Sequence, residues 1–234
     1  MGKFIVDQSF WNLFPQAKIG VITLKDFDNL QEQLPEFETL LKESNEMAAA
    51  YLTEPVFSDN DVVKVYREAY KKFKTKKGVR SSIENLLKRS QGEKAVGSIN
   101  PLVDIYNAAS LCYALPCGAE DMDTFEGDLQ LTITDGGDEF YLIGEEENNP
   151  TLPGELCYKD DKGAVCRCFN WRDGARTMIT PETRNAFLVI ELVDPKREQA
   201  LVDALDFVVE KAEQVLNAKT AKYILDADHR EVEL

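Results

Sequence analysis

The sequence predicts an α+β fold, because strand-like and helix-like stretches come in separate runs instead of alternating. Two short apolar strands open the chain and a block of amphipathic helices follows. From residue 128 the apolar period switches to that of strands, before one last long helix. At 234 residues and 44% hydrophobic content, the chain can bury a sizeable core, and without an internal repeat or long linker one domain over residues 1–234 is expected.

KFIV and AKIGVITL read as the opening strands, and LQEQLPEFETLLKESNEMAAAY, residues 30–51, as an amphipathic helix with Pro35 near its start. In DNDVVKVYREAYKKFKTKKG, residues 59–61 supply a cap and first-turn acids. Val62, Val65, Tyr66, Ala69 and Phe73 fall on one face of that helix and Lys64, Arg67, Lys71 and Lys74 on the other, with Gly78 expected to end it. Ser81-x-x-Glu84 then has the spacing of a capping box for a second helix burying Ile83, Leu86 and Leu87, which sets Lys76, Lys77 and Arg80 at the corner between the two.

NPLVDIYNAASLCYALPCGAED supplies the third helix of this block, capped by Asn100 and opened by Pro101. Val103, Tyr106 and Leu111 are its expected core positions, and Asp104 favours its N-terminal half electrostatically. It is expected to stop at a Pro116-Cys117-Gly118 turn whose loop ends in Glu120 and Asp121. DLQLTITDGGDEFYLIG reads as a hairpin turning at Gly136-Gly137, and ELCYKDDKGAVCRCFNW as another turning at residues 160–163. ARTMIT and NAFLVIELV continue the strands, Pro195 starts a long helix with Leu201, Leu205, Val208, Ala212 and Val215 on one face, and KYILDADHREVEL brings a final short strand.

The formal charge of −15 argues against indiscriminate nucleic-acid binding and against DNA as a partner. Residues 64–94 are the exception, with eleven basic and three acidic residues, so this stretch carries +8 and the remainder −23. A solvated helix face and a phosphate-binding surface explain that stripe equally well. Five cysteines, an odd number, fit reduced thiols in a cytosolic protein, and Cys166-x-Cys168 reads as one face of a strand, so neither a disulfide framework nor a metal site is expected. The single histidine, His229, removes Ser-His-Asp, Cys-His and two-His mechanisms. No apolar run reaches the length of about 20 residues that spans a bilayer, and residues 1–10 lack the order of a signal peptide, so a cytoplasmic protein without membrane contact is expected.

Between Lys77 and Glu191, the segments KGVRSSIENLL, VDIYNAASLCYALPCGAED, CRCFNWRDGARTMIT and PETRNAFLVIE, in that order, resemble the B3/B4 domain of the phenylalanyl-tRNA synthetase beta chain, and more closely its free-standing relatives. The most specific pieces are Val103-Asp104-x-x-Asn107, with Pro116 nine residues beyond Asn107, and Glu182-Thr183-x-Asn185 leading into an apolar strand. The firm resemblance covers about residues 77–191, with residues 1–76 and 192–234 expected to pack as part of the same B3/B4-like domain. No synthetase catalytic segment accompanies it.

That resemblance implies hydrolysis of tRNA charged with the wrong amino acid, without a cofactor. It places Asn107 at the editing pocket and Gly118 where the family carries a histidine beside the substrate. Asn170, Arg172, Asp173 and Thr177 match the other wall, and Asp121 stands near enough in sequence to replace the missing histidine. An activated ester needs a positioned water and oxyanion donors more than a covalent nucleophile, so Asn107, Asp121 and Asp173 are the expected catalytic groups. Gly118, Asn170, Arg172 and Thr177 are expected to line the substrate, with Lys64, Arg67, Lys71, Lys74, Lys76, Lys77 and Arg80 on tRNA phosphates. The alternative is a tRNA-binding or amino-acid-sensing module that keeps the pocket without the chemistry; an enzyme acting on small amino-acid esters ranks third.

Overall fold

In the computed structural model, residues 2–29 and 35–234 are described. The strands β1 (Lys3–Val6) and β2 (Lys18–Lys25) form where the apolar runs predict them, separated by a short helix α1 (Gln8–Leu13). The Asp7 carboxylate caps α1 by accepting from the Ser9 N–H at 2.8 Å. Helix α2 (Pro35–Ala48) begins at the proline, where a missing N–H costs nothing, and residues 30–34 of the expected helix lie outside the described residues.

The basic stretch forms α3 (Asp61–Ala69), one 3-10 turn (Tyr70–Lys72) and α4 (Ser82–Ser90). Gly78 does not end α3. The chain leaves the helix earlier because Lys74 becomes extended, its N–H donating to the Gly154 carbonyl at 2.8 Å. Nor does the capping box close: the Ser81 hydroxyl has no partner, and Glu84 turns away toward Arg67 and Lys88.

Helix α5 (Pro101–Tyr113) starts as expected, with the Asn100 side chain accepting from the Val103 N–H. Asp104 does more than favour the helix start, since its buried carboxylate accepts from the Ser98 hydroxyl and the Ile99 N–H and ties down the entering loop. The helix ends at Ala114, a non-glycine residue in the left-handed region (φ 46). Residues after it do not form the expected turn but a strand, β3 (Cys117–Asp121). β4 (Leu129–Thr134) does not fold back on residues 140–143; it pairs with β5 (Glu155–Lys159) across residues 135–154. Asp138 fastens that loop by accepting from Thr134, Thr151 and Lys159.

β6 (Ala164–Arg167) completes the second hairpin as expected, and β7 (Arg172–Asp173) is a two-residue edge. ARTMIT is not a strand; residues 175–177 turn, and the Thr177 carbonyl accepts from the Asp121 N–H. β8 (Ala186–Leu192), α6 (Glu198–Leu216), β9 (Lys219–Leu225) and β10 (Glu231–Glu233) finish the chain.

The strands make a six-stranded sheet, β10-β1-β4-β5-β6-β7, and a four-stranded sheet, β3-β8-β2-β9. All pairs are antiparallel except β1 with β4, so the α+β expectation holds with one parallel pair. Strand alternation makes the four-stranded sheet the middle layer. Ile19, Val21, Phe187 and Val189 pack toward the six-stranded sheet, while Ile22, Leu24, Leu188 and Ile190 pack toward α5 and α6. A third cluster joins α2, α3 and α4 to Ala108 and Leu111 of α5. No helix of the described residues is long and apolar enough to cross a membrane.

Candidate functional site

β3 and β7 are edge strands of the two sheets, and side chains from both meet between the layers. Along β3, Cys117 and Ala119 enter the core under α5 and α6, so Gly118 and Glu120 face the other way, toward the six-stranded sheet. Cys166 of β6 and Asp173 of β7 are directly opposite one another in register. Carboxylate oxygens of Glu120 and Asp173 and the Cys166 sulfur all lie within 4.8 Å of one another. The Glu120 Oε2 accepts from the Thr177 hydroxyl at 2.6 Å, but Glu120 Oε1 and Asp173 Oδ1 are buried without a partner.

Asn170 reaches this cluster from a strained turn. Cys168, Phe169 and Asn170 are consecutive left-handed residues (φ 51, 46 and 54), a conformation costing about 1–2 kcal/mol per residue. Packing and hydrogen bonds hold it: the Phe169 ring sits among Phe10, Phe14, Tyr66, Tyr70 and Phe73, and the Tyr70 hydroxyl donates to the Cys168 carbonyl. The turn drives the Asn170 amide against Gly118, where a Cβ would stand 2.0 Å from Asn170 Oδ1. Glycine is therefore required at 118 for the close approach. The room expected beside it for substrate is filled by Asn170.

Burial dominates the electrostatics. It pushes the Glu120 carboxyl well above the ordinary carboxylate range, with Asp173 adding to the effect, and raises Asp173 as well. The Cys166 thiol is raised for the same reasons. Glu191 of β8 is wholly buried and accepts from the Tyr158 hydroxyl at 2.7 Å, while its Oε2 has no hydrogen-bond partner. Burial pushes its carboxyl up to about 8 against the opposing pull of Tyr158 and Asn170. The Tyr106 hydroxyl is raised by burial and then by the charges of Asp173 and Glu120, while the side chain packs, as expected, against the core.

Of the residues expected from sequence, Gly118, Asn170, Asp173 and Thr177 come together here. Asp121 does not. It lies on the opposite face of β3 from Glu120, accepts from Thr183 and the Asp123 N–H, and fixes the turn that follows. Arg172 is exposed over the Trp171 ring at 5.8 Å, and both line, with Asp173, Leu142, Ile143 and Glu145, a cavity of about 350 Å³. Asn107 is 9% exposed, and its amide finds no hydrogen-bond partner among the described residues. Glu120, Cys166, Glu191, Tyr106 and Tyr158 were not expected. The alternation in CGAED would have found Glu120 had residues 117–121 been read as a strand.

The basic corner is a cleft of about 500 Å³ whose charges are partly spent. The Arg67 guanidinium forks onto the Glu84 carboxylate at 2.7 and 3.1 Å, Lys88 reaches it at 2.7 Å and Arg80 at 3.6 Å. Burial works against this carboxylate's charge, but Arg67 and Lys88 hold it below its usual range. Arg67 and Arg80 therefore serve the fold first. Lys71 pairs with Glu68 and Lys76 donates to Asn149, whereas Lys64, Lys74 and Lys77 are exposed and form no ion pair with a described residue.

Among solved structures, an N-terminal fragment of the phenylalanyl-tRNA synthetase beta-subunit from Pyrococcus horikoshii is similar over 93% of this chain and 49% of its own, at 9% identity and a TM-score of 0.46. The chain thus spans about half the length of that structure. No match was found among curated proteins. The family model of the B3/4 domain matches residues 65–223, from α3 through β9, taking in both edge strands and every residue of the carboxylate cluster; the chain belongs to the B3/4 domain family.

Proposed function

We propose that this chain deacylates mischarged aminoacyl-tRNA with a bound water and no covalent nucleophile. The observation that carries the reading is the Glu120–Asp173 pair at the meeting of two sheet edges, in a chain of a family whose name is shared with a synthetase editing domain. Two close carboxyls, one buried and one half-buried, favour a state in which one is protonated and the other ionised, the arrangement that supplies both acid and base. In this reading the ionised member takes a proton from water as it attacks the ester carbonyl, and the protonated member delivers one to the departing ribose oxygen.

The Asn170 amide, which pulls on the Glu191 carboxyl, and the Asn107 amide are the candidate donors for the developing oxyanion. The substrate enters by the cavity of Trp171, Arg172 and Asp173. The Lys76–Asn149 hydrogen bond joins the basic segment to residues 135–154, whose Leu142 bridges Gly174 beside that cavity, so tRNA phosphates on Lys64, Lys74 and Lys77 lead toward it. One observation favours binding without hydrolysis: Asn170 already fills the space at Gly118.

A panel of mischarged tRNAs decides between the two. Wild type should accelerate hydrolysis of at least one, Asp173→Asn and Asn107→Ala should each slow it by about ten- to a thousandfold, and tRNA affinity should change little. Binding across the panel with no hydrolysis rejects the deacylase in favour of the binding module.

A further inference from the structure

We infer that Glu120, Cys166 and Asp173 form a site for one divalent transition-metal cation of the zinc class, with three protein ligands and one open position. The sequence gives no hint of it, since the ligands come from three strands and no histidine or paired-cysteine spacing marks them. The fold supplies the convergence. Cys166 and Asp173 are register partners on adjacent strands and so project from the same face, and Glu120 meets them from the edge of the other sheet.

Three observations point to a cation. One donor atom from each residue falls within 4.8 Å of the others, and a tetrahedral zinc with bonds of about 2.0–2.3 Å sets its ligand atoms about 3.3–3.7 Å apart, so the three side chains would close by about 1 Å around a cation. Glu120 is 4% exposed, yet its Oε1 has no partner, so a buried acceptor lacks the donor that such groups otherwise find, and the half-buried Asp173 carboxylate faces only the Cys166 thiol, the third ligand of the set. The Thr177 hydroxyl holds the second Glu120 oxygen at 2.6 Å, the kind of outer contact that orients a metal ligand. Magnesium and calcium take oxygen ligands, whereas a thiolate beside two carboxylates suits zinc or cobalt. The inference concerns a complex formed without tRNA and does not need the deacylase reading; a bound cation would hold Glu120 and Asp173 both ionised, so a loaded site would replace the shared proton of that reading instead of adding to it.

The test uses full-length wild-type protein, stripped by chelator and titrated with Co²⁺ and with Zn²⁺. One equivalent of Co²⁺ is expected to bind with a thiolate-to-cobalt charge-transfer band in the near ultraviolet. Cys166→Ser should abolish the band and weaken binding at least about tenfold, while Cys112→Ser, on a remote buried thiol, keeps both. X-ray absorption of the zinc-loaded wild type, which needs no variant, should give one sulfur and two or more oxygen neighbours. Absence of stoichiometric binding, a shell without sulfur or with several sulfurs, or a band that survives Cys166→Ser overturns the site.

Discussion

At the scale of single residues, burial and close approach decide what each site residue can do. Gly118 and Asn170 are a matched pair: any side chain at 118 collides with the amide that the left-handed turn holds in place. Gly118→His, the residue the resemblance implies at this position, is therefore expected to displace Asn170 and lower stability by about 1–3 kcal/mol, the usual cost of overpacking. A urea titration that found the variant as stable as wild type would show that Asn170 moves aside freely.

Glu191 offers a second test at this scale. Its carboxyl titrates near 8 in the folded chain against an ordinary 4.5, so between those values the folded state holds a proton that the unfolded state has released. Stability contributed by this group is full below about pH 4.5 and declines as pH rises toward 8, by at most about 1.4 kcal/mol per pH unit. Glu191→Gln is neutral in both states, so its stability relative to wild type should improve from pH 5 to pH 8 in paired denaturant titrations. A relative stability independent of pH would mean that Glu191 is already ionised when folded.

At the scale of elements, the basic corner separates into arginines that hold the fold and lysines that face solvent. Lys64, Lys74 and Lys77 are exposed, while Arg67 balances Glu84, a carboxylate only 1% exposed. Replacing the three lysines by Glu should leave stability nearly unchanged, weaken tRNA binding and flatten the log–log salt dependence by about 2–3, at about 0.7–0.9 per phosphate contact. Arg67→Met should do the reverse, destabilising the junction of α3 and α4 by about 1–3 kcal/mol because Glu84 loses its forked partner. Equal loss of tRNA affinity from both changes would remove the distinction.

The strained turn of residues 168–170 belongs to this scale too. Its cost is offset by the aromatic cluster around Phe169, so the position of Asn170 depends on rings contributed by α1, α3 and the segment after α3. Sequence periodicity carries no sign of it, because left-handed backbone at Cys and Phe runs against every local preference.

At the scale of the whole molecule, the two ends of the chain share a sheet, with residues 3–5 of β1 paired to residues 231–233 of β10. β3 is likewise stitched to β8, and the Met122 N–H donates to the Asn185 carbonyl. We therefore propose one cooperative unit across residues 1–234. Limited proteolysis should release no stable fragment cut between Gly118 and Gly127, and deleting residues 227–234 should lower the melting temperature by several degrees by stripping β10 from β1. A cut in that interval that left two folded pieces would sink the single-unit proposal.

Element type followed from the sequence wherever a period was long and a cap was explicit: β1, β2, β8, α5 with its Asn100 cap and Pro101, and α6 were all legible. The basic stretch and the B3/4 resemblance were legible for the same reason, since both are carried by contiguous residues. What only the tertiary structure decided is which partner each element took. β4 passed over the adjacent Phe140–Ile143 stretch for β5, Glu84 chose Arg67 over its own helix cap, and residues 117–121 became a strand because β8 offered them a ladder. Glu120, Cys166 and Asp173 are separated by 46 and 7 residues along the chain, and they meet only because two sheets bring their edges together. Local preference acts over a few residues, whereas a buried polar cluster is fixed by packing between layers, and no spacing along one strand encodes the face of another.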